Sequence, residues 1–322
     1  MKHDDNIFVS IACLADPDIL DTVIDLFEKA ARPDRVRAGV CLQIDTAEEY
    51  LYQNLLGLNN VSVDILPYQQ ARGPIYARAR CERLLGDEAY FLQVDCHTRF
   101  MADWDEILIR ELDRARLLSE QAVLSHYPVN IKNMKSTEHL RTIGQVNRFR
   151  HVGPDAIKSH GSLISLPDQP LLSIGISAAM LFMQADTRRA IPYDPDLHFG
   201  LHAAEQVLYA ARLWTHGYDI YTPTSHTLAT EYEGSRSRIP EYIKQACNRN
   251  RGSWPERTWT KVKYLLELDS LEQVDPEYRA SVGSEDFQYG VGNQRSLLDY
   301  YRFSGLHQQL PQYFPNYTYL GS

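Results

Sequence analysis

Cysteine is scarce in this sequence, and no pair of cysteines has a spacing typical of a metal site. The five cysteines are odd in number and scattered, without a CxxC motif. Disulfide-stapled scaffolds and structural zinc sites depend on paired spacings, so neither is expected to organise this chain. Reduced thiols are the simplest interpretation, and they predict a cytoplasmic protein.

Positive charge is also too sparse for binding to a polyanion through overall electrostatics. Lys and Arg total 33 against 42 Asp and Glu, which gives a net charge of −9. A strongly acidic chain is a poor ligand for nucleic acid or anionic membrane, so we expect no nucleic-acid partner and only a local phosphate site. The sequence has no apolar run of membrane-spanning length and a polar start, so we expect neither a transmembrane segment nor a signal peptide.

What the sequence does contain is an alternation of apolar runs and amphipathic segments. Short apolar runs at residues 7–12, 36–44 and 61–66 predict buried strands, and a segment after Pro17 has apolar residues at helical spacing. Asp16 is predicted to cap that helix. Strand–helix–strand order predicts an α/β fold with a mostly parallel, doubly wound sheet. No GxGxxG follows the first strand, so the dinucleotide fingerprint is missing.

The pattern changes near residue 235. Residues 235–263 are rich in Arg, Lys and Trp, and residues 284–322 are aromatic and rich in turns. This part has too few apolar residues for a core of its own. We therefore predict a domain at residues 1–234 and a C-terminal extension at 235–322 packed on it.

A strand at residues 90–95 delivers two potential metal ligands, Asp95 and His97. Residues two apart in extended backbone point the same way, and ligands bind at the carboxyl ends of strands in open α/β sheets. A carboxylate with an imidazole suits a divalent ion such as Mn²⁺. Taken alone, an Asp-x-His triplet is more often part of a surface loop.

Further candidates are spread along the chain. Arg72, Gly73 and Arg78 lie at the predicted start of a helix, where a diphosphate could bind, although a solvated basic helix face is an equal alternative. Glu205 in a first helical turn is commonly just a partner of the helix dipole, and His226 in a turn is commonly structural. Residues 132–168 have weak periodicity and predict an irregular functional loop or a lid.

Several motifs together resemble glycosyltransferase family 60, the cytosolic UDP-GlcNAc-dependent transferases whose eukaryotic members modify hydroxyproline on a ubiquitin-ligase subunit. The matching segments are 7–12 (IFVSIA), 33–36 (PDRV) with Gly39 and Val40, 72–74 (RGP) with Ala77 and Arg78, 92–97 (LQVDCH) with Arg99 and Phe100, 192–195 (PYDP), 210–219 (AARLWTHGYD), and 292–297 (GNQRSL) with Tyr300. They occur in the expected order over nearly the whole chain.

The resemblance implies a GT-A fold, that is, a Rossmann-like, mostly parallel sheet flanked by helices, and a retaining transferase. It places the DxD-type triplet at Asp95-Cys96-His97, and a distant similarity to polypeptide GalNAc-transferases makes His226 the third metal ligand. It further implies donor contacts from Ser10, Arg72, Gly73, Arg78 and Asp95, with Glu205 and Asp95 as catalytic residues. The family's Gly-Glu-Glu is replaced by Ala204-Glu205-Gln206 in this sequence.

These implications predict a metal-dependent glycosyltransferase. We expect Mn²⁺, or Mg²⁺, to bind a UDP-sugar, with GlcNAc as the expected sugar, and a protein or glycan hydroxyl to accept it. Two alternatives are a metal-dependent nucleotide-sugar hydrolase and a non-catalytic module that binds nucleotide sugar or glycan. Residues 132–168 and 235–263 are the candidates for acceptor contact.

Overall fold

A twisted central sheet organises the part of the chain that the computed structural model describes, which comprises residues 5–151, 157–200, 203–233 and 238–310. Within that part, eight strands pair in the order β10-β12-β6-β11-β4-β1-β2-β3. A three-stranded sheet (β5-β13-β7) and a two-stranded sheet (β8-β9) flank it. The strands are β1 (Ile7–Leu14), β2 (Val36–Ile44), β3 (Val61–Pro67), β4 (Tyr90–Asp95), β5 (Thr98–Phe100), β6 (Ala122–Ser125), β7 (Val129–Asn130), β8 (Thr142–His151), β9 (Ile157–Ser165), β10 (Leu171–Ser173), β11 (Met180–Gln184), β12 (Asp219–Thr222) and β13 (Leu228–Thr230).

Helices cover both faces of the central sheet. The α-helices are α1 (Ile19–Glu28), α2 (Gln53–Leu56), α3 (Pro74–Glu82), α4 (Trp104–Arg116), α5 (Ala185–Ala190), α6 (Leu208–Thr215), α7 (Glu241–Arg251), α8 (Trp254–Leu265), α9 (Pro276–Val282), α10 (Leu297–Ser304) and α11 (Leu306–Gln309). A π-helical turn, Ala203–Val207, leads directly into α6. None of the helices within the described ranges is long and apolar enough to cross a membrane.

Neighbouring residues of one strand supply two separate cores. Phe8 and Phe91 belong to the cluster on one face of the sheet, whereas Val9 and Leu92 belong to the cluster on the other face. This division follows from the alternation of side chains along extended backbone. Trp259 of α8 joins the same cluster as Phe8, so the C-terminal helices pack on the sheet through a shared core.

The predicted α/β class with a mostly parallel sheet is confirmed. Strands β1, β2, β3 and β4 are parallel to one another, and β12 is parallel to β6. Of the eight strands described in the central sheet, only β10 and β11 are antiparallel to their neighbours. Ligand-facing carboxyl ends of β1, β2 and β4 therefore meet at one edge, as the sequence pattern indicated.

One predicted element differs from the structure. The segment 132–168 is not irregular, since it contains the long antiparallel hairpin of β8 and β9. A register shift between Val146 and Arg148 interrupts the alternation in β8, which explains the weak periodicity.

A buried ion pair joins the start of α4 to the segment that follows α1. Asp105, at the start of α4, is fully buried and accepts hydrogen bonds from the backbone N–H groups of Ala31 and Arg32. The guanidinium of Arg35 donates to the same carboxylate at 2.8 and 3.1 Å. Burial alone would raise the pKa of Asp105, but these donors lower it below its ordinary value.

We expect Asp105→Asn to lower the free energy of unfolding by roughly 3–5 kcal/mol, because the buried Arg35 loses its counter-charge. Urea denaturation monitored by circular dichroism measures this loss. Asp186→Asn is the matched control, since Asp186 is 93% exposed in its pair with Arg189 and should contribute at most about 1 kcal/mol. Equal effects of the two substitutions would contradict the interpretation.

Candidate functional site

The site lies where β4 ends beside β1. Asp95 is the last residue of β4, and its Cα is paired with that of Ala12 in β1. The chain then turns sharply, and the hydroxyl of Thr98 closes the turn by donating to the carbonyl of Asp95 at 2.8 Å. This turn carries Cys96 and His97, so both predicted ligands, Asp95 and His97, lie at the expected sheet edge.

His97 is held between two carboxylates. Its Nδ1 lies 3.3 Å from Oδ2 of Asp16, and its Nε2 lies 3.9 Å from Oδ2 of Asp95. Burial lowers the pKa of His97, but the hydrogen bond to Asp16 and the nearby Cys96 and Asp95 raise it to about 10. The imidazole is therefore oriented from one side and presents Nε2 towards Asp95.

Asp16 was predicted to cap the first helix, and its role differs from that prediction. Helix α1 begins only at Ile19, and the residue that precedes it, Asp18, makes no side-chain cap bond. Asp16 is buried, accepts from the N–H of Asp18 at 3.0 Å, and accepts from Arg238 at 3.1 and 3.3 Å. Asp16 therefore orients His97. The sequence alone does not show this role, because Arg238, which holds Asp16, lies 222 residues away.

The donor set around His97 fits a divalent cation. Two ligands each about 2.1 Å from one ion lie about 3–4 Å apart, which matches the separation of Asp95 and His97. Metal-binding histidines usually donate their second ring nitrogen to a carboxylate, as His97 does to Asp16. Among the described residues, Asp16, Cys96 and His97 also offer three potential ligand atoms within 4.8 Å of one another.

His226 is not brought to this cluster, in contrast to the prediction. Its Nε2 lies 2.8 Å from the carbonyl of Thr142, and its ring packs edge-on against His126 at 6.0 Å. Strand β13 pairs Thr230 with Thr98 and begins at Leu228, so His226 lies before the start of this strand, whereas His97 lies beside its end. Burial lowers the pKa of His226. Burial and the nearby charge of His226 lower the pKa of His126 to about 3.

Glu231 of this segment contacts His97 through its backbone, whereas its carboxylate accepts a hydrogen bond from the N–H of Glu233 at 2.9 Å. Its N–H donates to the carbonyl of His97 at 3.1 Å, one position beyond the last pair of the ladder. It is also close enough to Arg238 to raise the pKa of that guanidinium. The sequence analysis missed Glu231, although an acidic residue directly after a strand was a visible signal.

Arg78 joins the two predicted catalytic carboxylates. Its guanidinium is only 4% exposed, and it donates to Glu205 at 2.5 Å and to Asp95 at 3.0 Å. The carbonyls of Val94 and Ala178 accept its remaining bonds at 3.3 and 3.1 Å. Burial raises the pKa of Glu205, and the charge of Arg78 counteracts that rise. Arg78 thus has an internal role, and its contact with a diphosphate stays a prediction.

The other predicted donor-binding residues are placed differently. Ser10 is fully buried in the middle of β1, so it does not face the edge where Asp95 lies. Arg80 of α3 pairs with Asp64 at 2.6 Å. Gly73 lines a cavity of about 360 Å³ at the ends of β1 and β2, and its neighbour Arg72 accepts a backbone bond from Phe199.

Two cavities flank the Asp95 cluster. The smaller one, with Gly73, is lined by Ala12, Leu14 and Gln43 from strand ends and by Lys244 of α7. The larger one, of about 660 Å³, lies beside the β8–β9 hairpin and includes Gln206, the neighbour of Glu205. Ala12, the partner of Asp95 in β1, thus lines the smaller cavity, and Gln206, the neighbour of Glu205, lines the larger one.

Comparison with known families identifies the type of domain. The sequence matches the family described as Glycosyltransferase (GlcNAc) over residues 6–56 and 44–310. A search of curated proteins finds no match.

Solved structures share the fold at low sequence identity. The crystal structure of GalNAc-T7 with UDP, GalNAc and Mn²⁺ superposes with a TM-score of 0.58 at 12% identity, covering 99% of this chain and 59% of that one. This chain thus spans about three fifths of the length of the GalNAc-T7 chain. The crystal structure of S. aureus TarS 1-349 in complex with UDP-GlcNAc has a TM-score of 0.47 at 11% identity, with coverage of 96% and 79%. The predicted GT-A fold is confirmed.

Gly73 permits a close approach between the start of α3 and the backbone of Phe199. Its φ is +93°, and a Cβ there would lie 2.8 Å from the Cα of Phe199. We expect Gly73→Ala to lower the free energy of unfolding by about 1–3 kcal/mol from backbone strain alone, measured by urea denaturation. Gly290→Ala is the control, because a Cβ there meets only a ring carbon at 3.8 Å. A Gly73→Ala protein as stable as this control would contradict the prediction.

Proposed function

Because the chain belongs to the GlcNAc glycosyltransferase family, we propose that it transfers GlcNAc from UDP-GlcNAc to the hydroxyl of an acceptor. The observation that carries the proposal is the convergence of Asp95, His97 and the Arg78–Glu205 pair at one sheet edge. Family membership supports sugar transfer as the reaction class. The sugar, the acceptor and the metal belong to the proposal.

We assign the nucleotide to the smaller cavity. It opens at the ends of β1 and β2, where open α/β sheets bind ligands, and its lining includes Gly73 at the start of α3. Lys244 and Arg251 line it and can neutralise phosphate charge in an otherwise acidic protein. We retain Arg72 as a donor contact from the sequence analysis.

Asp95 and His97 would hold the divalent ion, for which we propose Mn²⁺, with Glu231 as the third protein ligand in place of His226. When bound, the ion supplies Lewis-acid neutralisation of the charge that develops on the departing UDP. Asp16 and Arg238 orient His97, and such supporting partners contribute strongly to metal affinity. The GalNAc-T7 structure contains UDP and Mn²⁺ in the same fold, which supports this assignment.

Glu205 would act at the sugar. Arg78 keeps this buried carboxylate fixed relative to Asp95, so a group on the sugar or the acceptor would meet a preorganised acceptor of hydrogen bonds. The retaining outcome, the cytoplasmic location and the division at residue 235 stay predictions.

The donor is testable by thermal shift of the full chain against UDP-GlcNAc, UDP-GalNAc and UDP-Glc. A donor at a hundredfold excess over its Kd should add about 2.7 kcal/mol of stability, and UDP-GlcNAc with Mn²⁺ should give the largest increase in Tm. EDTA should remove that increase. Stabilisation by none of the three donors would overturn the proposal, and release of free GlcNAc at a rate unaffected by any hydroxyl acceptor would identify a hydrolase.

We expect Asp95→Asn, His97→Gln and Glu231→Gln each to weaken Mn²⁺ binding at least about tenfold, because each removes an assigned ligand. Isothermal titration with MnCl₂ measures the affinity, and sugar transfer should fall in parallel. His226→Gln is the matched control, and its Mn²⁺ affinity should remain within about twofold of wild type. A large loss in that control with normal binding by Glu231→Gln would restore His226 as the third ligand.

A further inference from the structure

The larger cavity, of about 660 Å³, is not used by the proposed donor site. Its lining includes six consecutive residues of β9, 158–163, together with Val129 and Asn130 of β7. Side chains of consecutive residues alternate between the two faces of a strand, so a cavity lined by all six follows the edge of β9. Gln206 lines the same cavity and places it next to Glu205.

Both strands present an unpaired edge within the described ranges. Strand β9 pairs with β8 alone, and β7 pairs with β13 alone. An exposed strand edge carries free backbone donors and acceptors, which an extended peptide can pair with by adding a strand. Two such edges on one cavity favour a polypeptide over a compact sugar as the occupant.

The cavity has a charge opposite to that of the whole protein. No Asp or Glu is among its described lining residues, whereas Lys158 and His160 are. The register of the hairpin places Arg150 opposite Lys158 and Arg148 opposite His160. Like charges in directly opposed positions destabilise a sheet, so this arrangement needs a compensating partner. Burial, followed by these three cations, lowers the pKa of His160.

Within the described residues, no carboxylate supplies that partner, because none forms an ion pair with Arg148, Arg150 or Lys158. Several polar atoms of the cavity lining are also buried without a partner, namely Oγ of Ser159, Oε1 of Gln206, Nε2 of His160 and Nδ1 of His226. Buried polar groups are almost always hydrogen-bonded, so these atoms point to a bound ligand.

We propose that this cavity binds an extended, acidic polypeptide segment of the acceptor. The segment adds as a strand along the free edge of β9, and its carboxylates face the basic residues of the hairpin. Its hydroxyl-bearing residue then lies beside Gln206, at the entrance to the Glu205 site. This inference rests on the proposed function, because the peptide is an acceptor only if the protein transfers a sugar to it. Binding of the peptide does not itself require catalysis.

The probe is a fluorescein-labelled peptide of about twelve residues with alternating Glu and Thr, and its binding is measured by fluorescence anisotropy without any donor. We expect it to bind at least about tenfold more tightly than the matching Lys–Thr peptide, with a strong dependence on salt. N-methylation of alternate backbone amides should weaken binding about tenfold, because it blocks strand pairing. Equal affinity for the Glu and Lys peptides would overturn the proposal, as would preferential binding of inorganic polyphosphate.

Charge reversal locates the binding site. Lys158→Glu combined with Arg150→Glu should reduce affinity for the Glu–Thr peptide at least about tenfold. Lys29→Glu combined with Arg110→Glu is the matched control, since it makes the same charge change at exposed cations of α4 and the end of α1 and should alter affinity less than about twofold. Unfolding midpoints in urea verify that both proteins fold. Equal losses in the two variants would overturn the location, while failure of UDP-GlcNAc to stabilise wild-type protein would overturn only the proposed function.

Discussion

The buried guanidinium of Arg78 is the constraint on which the rest of the site depends. It leaves water only because two carboxylates and two backbone carbonyls satisfy it, and those groups come from three different parts of the chain. The end of β4, the turn before β11 and the π-helical turn at Glu205 must therefore meet at one point. Removing any one of them would leave a buried charge without its full set of partners.

A second charged network extends from the same edge of the sheet. Arg238 holds Asp16, Asp16 orients His97, and His97 faces Asp95, which Arg78 already fixes. Rigid positioning of this kind suits a site that must stabilise developing charge without reorganising. Because the chain as a whole is acidic, local cations have to offset the repulsion between the protein and an anionic donor.

Two cavities with different linings lie near this centre. One opens at the carboxyl ends of β1 and β2, and the other runs along the free edge of β9. Gln206 lines the second cavity, whereas its neighbour Glu205 is bound to Arg78 at the centre. Gln206 therefore lies on the acceptor side of the site that we propose.

Local pattern alone determined the α/β class, the strand that ends at Asp95, and the position of His97, because each depends on residues adjacent in sequence. The hairpin of β8 and β9 escaped the sequence analysis, since its register shift breaks the alternation on which strand prediction relies. Only tertiary packing decided that Arg78 joins Glu205 across 127 residues, that Asp16 supports His97, and that His226 faces Thr142 instead. Such partners are chosen by how helices and sheets dock, and nothing in the neighbouring sequence specifies that docking.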